Sequence, residues 1–238
     1  MNFEIEWPDE ALKVGLELAI SAQNNDGLCL IDVGAHYGET YNTYKKFANE
    51  FSYIGFEPDP DTYSILKKNF ENLKPHENHK IINSAVGPNN GTISFIKTQA
   101  DAVSGVLPPE DELNNRVPSG DHIIIDKFDV PVKTLDYVLN EFSTVSLLKI
   151  DTEGFDLECL KGAEESLNSS KINVIMCESF FVKYRQGQCY FWDIASFLKS
   201  KNYYFINLYD SRNTTQGRLY TANGLWISKR VAGELNYL

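Results

Sequence analysis

The sequence predicts an α/β protein with a mostly parallel sheet, helices on both faces and an antiparallel last strand. Three observations carry that expectation. Leu28–Pro58 reads as apolar strand, glycine turn, helix and second apolar strand, ending in Glu57-Pro58. Near-continuous apolar runs alternate with helical patterns along most of the chain, as strands covered on both faces require. Near the C-terminus, Tyr203–Leu208 and Gly224–Lys229 follow one another without a helix between them, which suits an antiparallel pair.

Each element has a local reason. Residues 9–24 place Leu12, Leu16, Ala19 and Ile20 on one side of an amphipathic helix. Leu28–Val33 and Phe51–Phe56 are strands around a helix at Glu39–Asn49. Asp59 or Asp61 caps a helix running to about Asn72. Lys80–Ala85 is the third strand, and the turn Gly87-Pro-Asn-Asn-Gly91 predicts that Thr92–Ile96 returns as a hairpin arm. Residues 97–130, with Pro108-Pro109, Pro118 and Gly120, read as a long functional loop or lid. Thr134 caps a short helix to Glu141. Strands at Val145–Asp151 and Asn173–Glu178 alternate with helices at Phe155–Leu167 and Tyr190–Lys201. The expected organisation is one domain over 1–238. Its N-terminal helical segment is 1–27, its core is 28–238, and loops at about 97–130, 179–189 and 209–223 surround the acceptor.

Composition narrows the function. A chain of 238 residues can bury a substantial core. The net charge of -11 argues against a nucleic-acid partner, which calls for a basic footprint. No apolar run approaches the roughly 18 residues of a membrane span. The acidic N-terminus MNFEIEWPDEALK lacks the basic start of a signal peptide. Cys29, Cys159, Cys177 and Cys189 form no CxxC pair, and two of them lie in apolar runs, so buried free thiols and a cytoplasmic location are expected.

Asp32, Gly34, Ala35, His36 and Gly38 sit where the first strand turns into a helix. Their G-x-x-x-G spacing departs from the G-x-G-x-x-G loop that seats a pyrophosphate on a helix N-terminus. A looser loop preceded by an acid suits a cationic ligand such as S-adenosylmethionine, whose sulfonium and ammonium a carboxylate favours. Glu57, at the tip of the second strand with Pro58 behind it, has two oxygens for a ribose diol. Ser84 and Ala85 are expected beside the adenine, and Asp101 or Ser104 near the ring or the methionine tail. His36 is either a contact to the amino-acid end of the cofactor or a structural hydrogen-bonding group.

A second motif, Leu147-Leu-Lys149-Ile-Asp151-Thr-Glu153-Gly154, ends the fourth strand. Lys149 and Asp151 are two apart and share a face. Asp151 can accept a hydroxyl proton as general base, and Lys149 can hold it, or act itself if burial lowers its pKa. Glu153 joins them as a third catalytic candidate. Glu178, at the tip of the neighbouring strand, can share a divalent metal ion with Asp151. The competing explanation for Lys149 and Asp151 is a structural ion pair.

These residues resemble the FkbM-type methyltransferases. The matching pieces are Asp32-Val-Gly-Ala35 with Gly38, Phe56-Glu57-Pro58, Ser84-Ala-Val-Gly87, Thr134-Leu-Asp136, and Leu148-Lys-Ile-Asp-Thr-Glu-Gly154 continuing to Leu160-Lys-Gly-Ala163. The likeness covers roughly residues 28–180. It implies a Rossmann-like class I methyltransferase fold on a seven-stranded sheet, and O-methylation of sugar hydroxyls in polysaccharide, glycolipid or secondary-metabolite pathways. His36 stands where the family commonly has asparagine. For the acceptor, Lys183, Tyr184, Arg185, Arg212 and Arg218 predict a grip on a phosphorylated or nucleotide-linked sugar, with Tyr184, Trp192 and Tyr209 as stacking platforms. A nicotinamide oxidoreductase and a non-catalytic nucleoside-binding module are the alternatives. The missing G-x-G-x-x-G argues against the first, and the Lys149, Asp151 and Glu153 constellation against the second.

Overall fold

A computed structural model describes residues 10–22, 27–48, 50–72, 78–111 and 120–237. The ends of the expected helix over 9–24, Asn49 and Pro118 lie outside the described residues. The elements run α1 (Glu10–Ser21), β1 (Leu28–Val33), α2 (Glu39–Phe47), β2 (Phe51–Phe56), α3 (Pro60–Asn72), β3 (His79–Ile82), β4 (Ala85–Val86) and β5 (Gly91–Thr98). A 3-10 turn (Asp101–Val103) is followed among the described residues by β6 (Ile124–Lys133), α4 (Leu135–Leu139), β7 (Val145–Ile150), α5 (Asp156–Lys161) and α6 (Glu164–Asn168). The chain closes with β8 (Ile172–Phe180), α7 (Phe191–Ser200), β9 (Tyr203–Asn213), β10 (Leu219–Ser228) and α8 (Lys229–Glu234).

Seven strands form one sheet in the order β3-β2-β1-β7-β8-β10-β9. It is parallel from β3 to β8, and β10 runs antiparallel to both of its neighbours. The continuous apolar character of β1 follows from double coverage. Leu28 and Leu30 pack toward α1, α2 and α8, whereas Cys29, Ile31 and Val33 pack toward the layer of α4 to α7. All six residues of β1 and all six of β7 are buried, so the strand order reverses between two sealed strands and the ligand crevice opens at their C-terminal ends. All four cysteines are free thiols.

Three expectations about the strands are corrected. Thr92–Ile96 does not fold back on the third strand. It belongs to β5, which pairs antiparallel with β6, and β6 pairs parallel with β4, giving a second sheet of order β4-β6-β5. The stretch 97–130 is consequently not all loop. Its last residues begin β6, whose exposed first half lacks the alternation that marks a half-buried strand. The third strand also stops at Ile82, and Ala85 joins the small sheet.

The helix expected over Phe155–Leu167 breaks into α5 and α6 at Gly162-Ala163. A side chain at Gly162 would place its Cβ 2.2 Å from the Gly87 carbonyl oxygen, so the small-sheet turn abuts the helix there. The Gly162 carbonyl accepts the Asp136 amide at 2.9 Å, and the Asp136 carboxylate caps α6 by accepting the Glu165 and Ser166 amides, both at 2.9 Å. The pieces Thr134-Leu-Asp136 and Leu160-Lys-Gly-Ala163 are thus one contact. Asp136→Ala leaves both amides without their cap and should cost about 1–2 kcal/mol of stability, read as a lower denaturation midpoint at unchanged m-value. Gly162→Ala should cost more.

Candidate active site

The two ends of β1 and β7 meet more closely than side chains allow. The Asp151 amide donates to the Val33 carbonyl at 3.0 Å, and a Cβ on Gly34 would lie 2.1 Å from the Asp151 carbonyl oxygen. Gly34 (φ 85°) therefore has no substitute. The Gly34 and Ala35 amides both donate to the Phe56 carbonyl, at 3.1 and 2.9 Å, which fixes the loop to the tip of β2. Gly38 (φ 95°) does not line the crevice. It starts α2, where a Cβ would come 3.2 Å from Leu66 Cδ1.

Above these strand ends lies a cleft of about 980 Å³. One half is walled by Gly34, Ala35, His36, Glu57, Pro58, Ser84, Ala85, Asp101 and Ser104. Glu57 is 6% exposed; its Oε2 accepts the His36 amide at 3.0 Å and its Oε1 the Asp59 amide at 2.9 Å. Each oxygen keeps a further lone pair, the geometry a vicinal diol requires. Burial pushes the Glu57 carboxyl up to about 7. The Ser84 hydroxyl turns away from the cleft, donating to the Ala85 and Pro131 carbonyls at 2.8 and 3.0 Å. Ser104 Oγ accepts the Thr98 amide at 3.0 Å.

His36 sits in the left-handed region (φ 48°) inside an acidic cage. Its Nδ1 lies 3.2 Å from Glu39 Oε1 and its Nε2 3.5 Å from Asp101 Oδ1. Burial alone would depress its pKa, but the Glu39 hydrogen bond and the charges of Glu39, Asp101 and Glu57 raise it overall. The Tyr37 hydroxyl donates to Asp101 as well, so the glycine loop is clamped to the 3-10 turn across the cleft. Burial works against the ionised Asp101, yet Tyr37 and His36 hold its carboxyl below the ordinary range.

At the boundary between the halves stands Lys149. Its ammonium is 3.2 Å from Asp32 Oδ1, 3.3 Å from the Gly34 carbonyl and 3.5 Å from Asp151 Oδ2. Burial opposes its charge, but the Asp32 and Asp151 carboxylates outweigh burial and raise its pKa, so Lys149 stays an ammonium. The alternative in which burial makes Lys149 a base is corrected. Asp32 is corrected too: fully buried, absent from the cleft wall and bonded to Lys149 and to Tyr53 Oη (2.8 Å), it acts on the cleft through Lys149.

Asp151 lies beyond the lysine, with 44% of its side chain exposed. Carboxylate oxygens of Asp151, Glu153 and Glu178 come within 4.8 Å of one another. Glu153 (φ 56°) is paired with Arg185 Nη2 at 2.8 Å, and burial raises its pKa despite that pairing. Glu178 Oε1 accepts the Thr221 hydroxyl at 3.3 Å and its buried Oε2 has no partner among the described residues; burial, then Asp151, raises its pKa well above the carboxylate range. The rest of this half is built by Leu12, Met176, Asp210, Arg212, Thr221 and Asn223. Sequence reasoning missed Leu12, which is indistinguishable from a core leucine by periodicity, and Asp210, which accepts the Glu10 and Ala11 amides, both at 3.1 Å, and so seats α1 against the cleft.

Of the five residues expected to grip the acceptor, Arg212 alone lines the cleft. Lys183 is paired with Glu110 at 2.7 Å, and Arg218 donates to the Phe181 carbonyl at 3.4 Å. Tyr184 and Arg185 are buried because the Gln188 side-chain carbonyl accepts both of their amides, at 2.7 and 2.6 Å, folding the loop under the site. Tyr184 packs against Phe180, Tyr220 and His122. Trp192 stacks on Tyr190 and Tyr209 packs against the core, so neither is a platform in the cleft.

The buried acids make stability depend on pH. Burial pushes Asp156 as well as Glu57 up to about 7, and it also holds Glu178 well above the carboxylate range. These groups hold protons that an unfolded carboxyl, with a pKa of about 4, has already released. The native state then binds more protons than the unfolded one, so stability falls as pH rises through that window; His122, lowered first by burial, opposes this with one proton. The melting temperature should be several degrees higher at about pH 5.5 than at about pH 8 in thermal scans.

Comparison with known proteins matches the sequence to a family. Residues 32–205 match the profile of the methyltransferase FkbM domain. The methyltransferase sdnD of Sordaria araneosa is 25% identical over 158 residues, 57% of this chain and 60% of that protein. The fold is shared with the METTL16 methyltransferase domain (TM-score 0.51, 14% identity, 93% of this chain and 67% of that one). It is also shared with an rRNA methylase from Streptococcus thermophilus (TM-score 0.50, 10% identity, 91% and 94%). The architecture is thus the class I methyltransferase fold, and the chain belongs to the FkbM methyltransferase domain family.

Proposed function

We propose that this chain is an S-adenosylmethionine-dependent O-methyltransferase acting on a sugar hydroxyl. The observation that carries the reading is one cleft with a buried diol-accepting acid, Glu57, at one end and an exposed carboxylate, Asp151, backed by a buried ammonium at the other. Family membership weighs against a nicotinamide oxidoreductase, and the placement of Asp151 weighs against a binding-only module. We place the enzyme in the cytoplasm, as one domain over 1–238, in polysaccharide or glycoconjugate synthesis.

The donor half fits the cofactor by its chemistry. Glu57 would hold the ribose hydroxyls, Gly34 and Ala35 admit a ligand close to backbone, Ser84 and Ala85 flank the base, and Glu57 and Asp101 supply negative potential for a cationic donor. S-adenosylmethionine, when bound, supplies an electrophilic methyl group. Asp151 accepts the proton of the acceptor hydroxyl. Lys149 orients Asp151, while Glu153 and Glu178 shape the acceptor end. Holding the reactants aligned can supply about 7–11 kcal/mol of the acceleration.

The acceptor is read as a sugar without a nucleotide diphosphate. Three of the expected phosphate ligands lie outside the cleft, and the acceptor end is lined by Asp151, Glu153, Glu178 and Asp210 against Lys149 and Arg212. The same acidity and the net charge of -11 favour a small molecule over a nucleic acid.

A divalent metal at Asp151 and Glu178 is the second reading, favoured by the approach of Glu153 to the same point. Such an ion would ease deprotonation of a bound hydroxyl. Two of the three acids already face cations, Lys149 and Arg185, so the metal-free reading takes precedence.

Asp151→Asn should lower kcat by about 100-fold or more against a sugar panel while leaving S-adenosylhomocysteine affinity within a few-fold, in mass-spectrometric assays and calorimetry. Unchanged turnover would remove Asp151 from the base role. Excess EDTA should leave turnover intact; loss restored by magnesium or manganese would install the second reading. Glu57 must ionise to accept both ribose hydroxyls, so S-adenosylhomocysteine affinity should weaken as pH falls through about 7. Glu57→Gln should weaken binding and flatten that dependence.

A further inference from the structure

We propose that Arg185 is a positioning residue that ties the roof of the donor half to the acid of the acceptor half, so that occupancy of one half sets the geometry of the other. The proposal rests on the donor site argued above.

Arg185 is fully buried and lines no part of the cleft. Burying a guanidinium is costly unless it is paired, so its partners report its purpose. One nitrogen, Nη2, donates to Glu153 Oε2 at 2.8 Å and to the Val103 backbone carbonyl. Nε and Nη1 have no hydrogen-bond partner among the described residues. The guanidinium is therefore held at one atom, with one hydrogen for each acceptor, and a shift of either acceptor is felt by the other.

The two acceptors belong to opposite halves. Val103 closes the 3-10 turn whose Asp101 is bonded to Tyr37 and faces His36, the clamp across the donor half. Glu153 follows Asp151 by two residues and holds a left-handed backbone (φ 56°), a conformation a glutamate keeps when its side chain is tethered. Roof and acid also touch directly: a Cβ on Gly105 would lie 3.3 Å from Glu153 Cβ.

The base of Arg185 is rigid. Gln188 accepts its amide, Pro109 bridges to its backbone, and its guanidinium carbon lies 4.9 Å from the centre of the Tyr184 ring. With a fixed base and a head held at one nitrogen, the side chain acts as a lever between Val103 and Glu153. Ligand under the roof fixes Val103, and through Arg185 it fixes the turn at 151–155 that presents Asp151.

Hydrogen–deuterium exchange on the full chain, with and without S-adenosylhomocysteine, tests the coupling. In the wild type the ligand should slow exchange in both 101–106 and 151–155, the second by about tenfold, within the range for coupled sites. Arg185→Lys keeps a charge beside Glu153, but its ammonium ends one bond short of the Nη2 position that serves both acceptors. It should retain most of the melting temperature yet lose ligand protection at 151–155. The double variant Arg185→Met with Glu153→Gln removes the buried pair as a unit and guards against misfolding of a single variant; it should lose the same protection while keeping that at 101–106. Equal protection of 151–155 in all three proteins, or none in the wild type, overturns the coupling while leaving the methyltransferase reading in place. Calorimetry that detects no S-adenosylhomocysteine binding to the wild type removes the donor site, and the coupling with it.

Discussion

The site depends on one buried ammonium. Lys149 sits in a strand covered on both faces, a position that excludes a charge unless its neighbours compensate it. Asp32 on the adjacent strand and Asp151 at its own strand end do so, and the Gly34 carbonyl completes the set. Because Asp32 and Lys149 are register partners between β1 and β7, the ion pair also locks the two strands whose ends form the crevice. The missing side chain at Gly34 lets those ends close. Charge pairing and backbone approach are therefore two aspects of the same junction.

From that junction the two halves diverge in character. The donor half is a ring of hydrogen bonds among short loops: Glu57 collects two amides, and His36 and Tyr37 meet Asp101. Its carboxylates are engaged by the protein but retain lone pairs toward the cleft. The acceptor half is less satisfied, with an exposed Asp151 and a Glu178 oxygen lacking a partner among the described residues. A partly unsatisfied acidic corner beside a fully organised one is what an enzyme needs when one ligand is fixed and the other must be activated. Asp210, which lines that corner, also accepts the first amides of α1 and so joins the helix to it.

Legibility in the sequence followed burial. The strands sealed on both faces announced themselves as apolar runs, and the register of β1 beside β7 carried Asp32, Gly34, Lys149 and Asp151 to one place as their positions at strand ends implied. The small sheet was not legible, because β6 is exposed along much of its length and its partner β5 lies far from it in sequence. The break between α5 and α6 was hidden for the opposite reason. Their apolar pattern is continuous, and the interruption comes from the Gly87 backbone and the Asp136 cap, both remote in the chain. Arg185 reads as a loop cation in sequence and is a sealed structural cation in space, because one glutamine side chain turned its loop inward.

By itself the sequence determined the fold class and the acids and lysine at the strand ends, since local periodicity and strand-end chemistry are properties of short segments. Tertiary structure decided which of those groups face a ligand. Asp32 and Lys149 consume each other's charge, Glu57 and Asp151 remain open to the cleft, and Glu153 is bound to an arginine 32 positions away. Charge and exposure at each group are set by neighbours that the chain brings together only on folding, so they cannot be read one segment at a time.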